Sequence, residues 1–136
     1  MIFILIPAKL SSSRLKRKNL RKINNKTLLE ISIRFAHSLK IKKKIFVSSE
    51  SKKILNIARK LNCEIIKRPK KLSKPNTEMK LVINHFIKSQ KINNNDMMLL
   101  QPTSPIRSIA NIIKAYKIFK EKKAKGIYSI SEVLSE

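Results

Sequence analysis

At 136 residues and 42% hydrophobic, the chain is long enough for one domain with one core and too apolar for wholesale disorder. Its single cysteine, Cys63, excludes an internal disulfide framework, and His37 and His85 are too isolated in sequence to suggest a metal cluster; each reads as a buried or half-buried histidine. The net charge of +24 is spread from Lys40 and Lys42 through Lys70 and Lys71 to Lys122 and Lys123, with no tryptophan and few aromatic platforms for stacking bases, so solvated basic faces and a polyanion-binding surface both stay open.

In chain order, Ile2 to Ile6 is a continuous apolar run of strand length stopped by Pro7, as expected of a strand buried on both faces. It lacks a basic flank and is too short for a signal or a membrane span, and no other segment approaches ~18 consecutive apolar residues, so a cytoplasmic protein is expected. The following loop, through Leu20, holds five basic side chains (Lys9, Arg14, Lys16, Arg17, Lys18) and three serines (Ser11, Ser12, Ser13). Cations and hydroxyl donors after a buried strand suit a phosphate group, although a solvated basic loop fits the same residues.

Leu28, Ile31, Phe35, Ala36 and Leu39 then share one helical face, with Thr27 as the N-terminal residue. Ile45-Phe46-Val47 predicts a second strand, and Ile54, Ile57, Ala58 and Leu61 a helix after Ser51. Ile65-Ile66 predicts a third strand, followed by a helix through Met79, Val82, Ile83 and Phe86 that Asn76 or Thr77 could cap. Met97 to Leu100 predicts a fourth strand, preceded by Asp96, the only aspartate, in a turn or strand-end role. Ile109, Ile112, Ile113, Tyr116 and Phe119 predict a helix after Ser108 that ends near Gly126, and Ile127 to Ile130 is a weaker fifth strand candidate. This alternation predicts one α/β domain over residues 1–136, with a mainly parallel sheet and helices on both faces. Ligands in such sheets bind at the strand carboxyl ends, which directs attention to the loops after Ile6, Val47, Ile66 and Leu100.

Four ordered segments resemble those of the N-acylneuraminate cytidylyltransferases. Ile6-Pro7-Ala8-Lys9 through Ser12, Leu15 and Lys18-Asn19-Leu20 is similar to their I-P-A-R-x-x-S-x-x-L-x-x-K-N-L signature. Val47-Ser48-Ser49-Glu50-Ser51 resembles their V-S-T-D-S, with Glu50 in place of aspartate. Arg68-Pro69 with Leu72-Ser73, Thr77 and His85 resembles their R-P-x-x-L-S stretch and following helix, and Leu99 through Arg107 reads LLQPTSPIR against their L-L-Q-P-T-S-P-L-R. The last agreement, nearly unbroken over nine consecutive positions, is the most specific.

The resemblance implies a three-layer, Rossmann-like nucleotide-diphospho-sugar transferase fold. It also implies transfer of CMP from CTP to an acidic sugar, a sialic acid or related nonulosonate, with release of pyrophosphate. Carried across by matching positions, Lys9 and Lys18 are the implied catalytic cations; Lys9 keeps the charge of the family's arginine without its bidentate fork. Ala8, Lys9, Lys18, Asn19, Arg68 and Thr77 are the implied nucleotide-binding residues, and Gln101 faces the acceptor sugar. Mg2+ on the phosphates is implied as cofactor, but no position here matches a family metal ligand, so none is assigned. Family members are longer, and their C-terminal half supplies metal-binding aspartates, sugar contacts and a dimerisation segment. The expectation is therefore a C-terminally truncated chain that binds CTP but turns over poorly alone, or one completed by a homodimer or a complementing C-terminal chain. A CTP-binding remnant without turnover and a basic nucleic-acid-binding domain are the alternatives, and no membrane partner is expected.

Overall fold

The computed structural model describes residues 1–11, 17–92 and 95–130; Ser12, Ser13, Arg14, Leu15 and Lys16 of the basic loop lie outside the described residues. Two compact units divide the chain, the first from Met1 to Ile106 and the second beginning at Arg107. The first opens with β1 (Ile2–Pro7), the short strands β2 (Lys22–Ile23) and β3 (Lys26–Thr27), α1 (Leu28–Ser38) and β4 (Lys43–Ser49). It continues with α2 (Lys52–Lys60), β5 (Glu64–Lys67), α3 (Met79–Ser89) and β6 (Asp96–Leu99), which Asp96 opens. The second contains α4 (Ile109–Glu121).

The main sheet has the order β5-β4-β1-β6, and every pairing is parallel. Leu5 is paired with Phe46 on one side and Leu99 on the other, and Val47 with Ile65. After β5 the chain returns across β4 and β1 to add β6 on the far side, so strand order reverses beside β1. In open parallel sheets, ligands bind at the strand carboxyl ends beside such a reversal.

Period-two alternation sends Leu5 to one face and Ile4 and Ile6 to the other, and all three are fully buried. On Leu5's face, Phe46, Ile66 and Phe86 of α3 form a core cluster, joined by Phe3, Ile83, Met97 and Leu99. Phe86 meets Phe46 edge-on with ring centroids 5.1 Å apart. Helices α1 and α2 pack on β1, β4 and β5, with Leu29, Ile33, Ile54 and Ala58 fully buried. Together these layers make the expected three-layer, Rossmann-like α/β arrangement with a parallel sheet.

Local signals explain the helix starts. Thr27 and Glu30 form a reciprocal capping box at α1, with Glu30 N–H donating to Thr27 Oγ1 (3.1 Å) and Thr27 N–H to Glu30 Oε2 (2.7 Å). Ser51 and Ser108 cap α2 and α4. Three expectations are corrected. Neither Asn76 nor Thr77 caps α3, whose N-cap is Glu78 with no side-chain bond; Thr77 is held in the preceding turn, its N–H donating to Lys74 O (3.1 Å) and its hydroxyl to Lys71 O (3.4 Å). Helix α4 stops at Glu121, short of Gly126, because Lys123 takes the left-handed conformation (φ 47°) and Ala124 N–H returns to Phe119 O (3.1 Å). Finally, Ile127 to Ile130 forms no strand: an apolar run needs a strand edge to pair with, none of the described strands pairs with it, and Ile130 is 94% exposed.

Candidate nucleotide-binding site

The loops after β1, β4, β5 and β6 share one edge of the first unit because their strands run parallel. Just beyond β1, Ala8 is fully buried and its N–H donates to Ser48 O (2.9 Å), extending the ladder toward β4. Its N–H is thereby committed, so any ligand contact from Ala8 must use another group. On the other side, Leu100 N–H donates to Leu5 O (2.9 Å), which brings exposed Gln101 to the same edge as Lys9.

Two chains of contacts start from the neighbours Lys9 and Leu10. In the first, Asn19 is buried in the turn Lys18–Leu20 and its Nδ2 donates to Lys9 O (2.8 Å), folding the half-buried Lys18 back onto the loop after β1. Lys9 Nζ reaches Lys74 O (3.4 Å), the carbonyl that also accepts Thr77 N–H. Lys9, Asn19 and Thr77, expected together from sequence, are thus linked through backbone carbonyls. In the second chain, Leu10 N–H donates to Glu50 Oε1 (2.9 Å), while Glu50 Oε2 lies 3.6 Å from Arg68 Nη2. Arg68 N–H in turn donates to Ser49 O (2.8 Å), which keeps the residue beyond β5 in line with β4.

Arg68 is 4% exposed, and its Nε and Nη2 find no hydrogen-bond partner among the described residues. Burial pulls its guanidinium below the ordinary arginine value, and the Glu50 carboxylate acts against that shift. Ser48 Oγ and Ser73 Oγ, close in sequence to the same strand ends, are also buried with no partner among the described residues. Most buried polar groups in folded proteins are satisfied, so these atoms, with His85 Nδ1 of α3, carry hydrogen-bonding capacity that the described residues leave unused. On the flank of the Lys18 turn, a cleft of ≈ 440 Å³ is lined by Arg17, Leu20, Arg21 and Lys53, and so presents three cations and no acid.

Sequence reasoning missed Glu50, noted only as a replacement for aspartate, and Lys74, whose backbone carbonyl is the meeting point for Lys9 and Thr77. Glu50 carried one signal: an acid in a chain with only eight, placed at a buried strand's carboxyl end. Lys74 carried none, because a backbone acceptor leaves no mark in side-chain pattern. Among the described residues, no group of three or more His, Cys, Asp or Glu side chains could hold a metal ion. A Mg2+ ion here would take most of its ligands from phosphate oxygens and water.

The cytidylyltransferase family model matches residues 3–136. This chain belongs to the cytidylyltransferase family. It is 30% identical over 119 residues to an N-acylneuraminate cytidylyltransferase of Escherichia coli, covering 88% of this chain and 28% of that protein. It is 31% identical over 123 residues to the post-translational flagellin modification protein B of Campylobacter coli, covering 87% of this chain and 52% of that one. Likewise it is 29% identical over 136 residues to a CMP-N,N'-diacetyllegionaminic acid synthase of Legionella pneumophila, covering 97% and 58%. The chain therefore spans between about a quarter and three fifths of these relatives. Its fold is that of a CMP:2-keto-3-deoxy-manno-octonic acid synthetase solved with CTP (TM-score 0.72, 17% identity, 90% of this chain and 48% of that chain). A cytidylyltransferase from Leptospira borgpetersenii shares it too (TM-score 0.69, 19% identity, 90% and 50%). As a cytidylyltransferase-family chain, it carries no helix, among the described residues, long and apolar enough to cross a membrane.

Proposed function

We propose that this chain binds CTP at the carboxyl edge of its sheet and transfers CMP to an acidic sugar of the sialic-acid type, releasing pyrophosphate. The observation that carries the reading is the linked arrangement of Lys9, the Lys18–Asn19 turn and buried, underbonded Arg68 around one edge in a cytidylyltransferase-family chain. In this reading Lys9 and Lys18 neutralise the phosphates, and the charge that grows on pyrophosphate as it leaves. Asn19 does not compete for phosphate with its Nδ2; it fixes the Lys9 carbonyl and so the direction in which the loop departs. Arg68 offers N–H donors to the acceptor edge of cytosine, and Thr77 braces the turn that Lys9 reaches. Gln101, across the reversal point, contacts the acceptor sugar. Nothing in this set is an obvious nucleophile or base, so rate comes from placing the sugar hydroxyl in line with the α-phosphorus and from neutralising charge. Mg2+, held mainly by the phosphates, belongs to the proposal as cofactor, and a cytoplasmic site of action as its setting.

Calorimetry with CTP, UTP, ATP and GTP, followed by pyrophosphate release with CTP, Mg2+ and N-acetylneuraminate, tests the reading. Expected is tightest binding of CTP and release that needs both CTP and the acidic sugar. Equal affinity for all four nucleotides would sink it. Selective CTP binding without any release would confine the chain to nucleotide binding.

A further inference from the structure

Glu50 joins the two parts of the site that would meet opposite ends of a nucleotide. Its Oε1 accepts the Leu10 N–H at 2.9 Å, a charge-assisted bond to the loop that carries Lys9. Its Oε2 lies 3.6 Å from Arg68 Nη2, and the two side chains are 13% and 4% exposed. A guanidinium buried to this degree needs a counter-charge close by, and Glu50 supplies it. With both oxygens engaged, the carboxylate is poorly placed to act as a general base. What it does control is the register between the loop after β1 and the Arg68 guanidinium, whose Nε and Nη2 hydrogens make no hydrogen bond among the described residues.

We propose that Glu50 is a positioning residue for nucleotide selection, holding the Ala8–Leu10 loop and the Arg68 guanidinium in the one register where phosphates and base are bound together. The inference rests on the nucleotide reading above and adds to it a residue that touches neither end of the ligand. Replacement by glutamine separates the two arms. One amide oxygen can still accept the Leu10 N–H, but the amide NH2 then faces the Arg68 N–H groups, donor against donor.

The test is titration of Glu50→Gln, in the full chain, with CTP, UTP and inorganic triphosphate, alongside thermal melts. Expected are CTP binding weaker by about tenfold, a preference for CTP over UTP that narrows by about the same factor, and triphosphate affinity within about twofold of the wild type. A residue that merely braced the fold would lower the melting temperature, or weaken all three ligands alike, without touching the CTP-to-UTP ratio. An unchanged ratio in folded Glu50→Gln therefore overturns the inference, as does a parallel loss of triphosphate. If Glu50→Gln does not fold, Glu50→Met takes its place: it keeps the length but offers neither Leu10 N–H nor Arg68 an acceptor oxygen, and an unchanged ratio in the folded variant overturns the inference equally. A wild-type chain that shows no preference for CTP overturns the nucleotide reading itself, an outcome distinct from both.

Discussion

The two ends of the sheet treat buried polar groups differently. At the carboxyl end, Arg68 and its neighbourhood retain buried N–H and hydroxyl groups with no partner among the described residues, and a 3.6 Å ion pair to Glu50 compensates in part. At the amino end, beside the start of β5 and the end of α1, Cys63 and His37 also meet. There His37 Nε2 lies 2.9 Å from Leu61 O, Cys63 Sγ points to the same carbonyl at 3.7 Å, and the thiol is 4.0 Å from the imidazole. His37 is exposed, where a buried or half-buried ring was expected, while His85 is half-buried. Among the described residues the first cluster keeps hydrogen-bonding capacity unused, whereas in the second both side chains turn to one backbone carbonyl.

Arg68→Met gives the largest expected separation of the two ends. It removes a buried charge whose Nε and Nη2 make no hydrogen bond among the described residues, so CTP binding should weaken by up to about 3 kcal/mol, the upper range for a hydrogen bond to a charged group. The urea midpoint should fall as well, because the change leaves the 13%-exposed Glu50 carboxylate without its counter-charge, and Arg68→Met combined with Glu50→Gln should recover part of that loss. Calorimetry and urea titration on these variants measure both effects; a large loss of stability with CTP affinity intact would make Arg68 structural and erase the contrast. Lys18→Ala comes next. It should weaken CTP by about 1–3 kcal/mol, toward the lower figure because the side chain is only half-buried. Unlike Arg68→Met it should weaken UTP equally, since phosphate contacts do not read the base. A selective loss of CTP over UTP in Lys18→Ala would show that the division between base and phosphate contacts is wrong.

What could be read from sequence follows the range of the interactions involved. The central strands β1 and β4 were visible because burial on both faces leaves continuous apolar runs, and the edge strands β5 and β6 showed as shorter apolar stretches that are only partly buried. Thr27, Ser51 and Ser108 announced their helices because capping is decided within four residues. The β2–β3 hairpin escaped notice although its turn residues Asn24 and Asn25 both take positive φ (48° and 63°), which a two-residue asparagine turn favours. Ile127 to Ile130 misled because local apolarity says nothing about whether an edge exists to pair with. The site divides in the same way. Lys9, Asn19 and Arg68 stood in motif-like segments, but the Leu10–Glu50–Arg68 bridge joins residues from three separate loops and has no local pattern.

The smallest expected effect concerns the amino end. Burial, with a further contribution from the charge of Glu64, pushes the Cys63 thiol up from 9.0 to about 11. Two units correspond to about a hundredfold less thiolate at pH 8, so a thiol-specific disulfide reagent should react with native Cys63 roughly that much more slowly than with the urea-unfolded chain. The same shift sets a direction for stability. The folded chain keeps a proton that the unfolded chain surrenders near 9.0, so the contribution is fully present below that pH and declines as pH rises toward about 11. Lysines and tyrosines titrate in the same window, which makes the wild type alone uninformative. The quantity to measure is the difference between the wild type and Cys63→Ala in urea midpoint at pH 8 and pH 10.5. That difference should shift against the wild type at the higher pH, while CTP affinity stays equal in the two proteins at pH 8. A difference that does not change with pH, together with fast labelling of the native thiol, would show that the amino end is as open to chemistry as the carboxyl end.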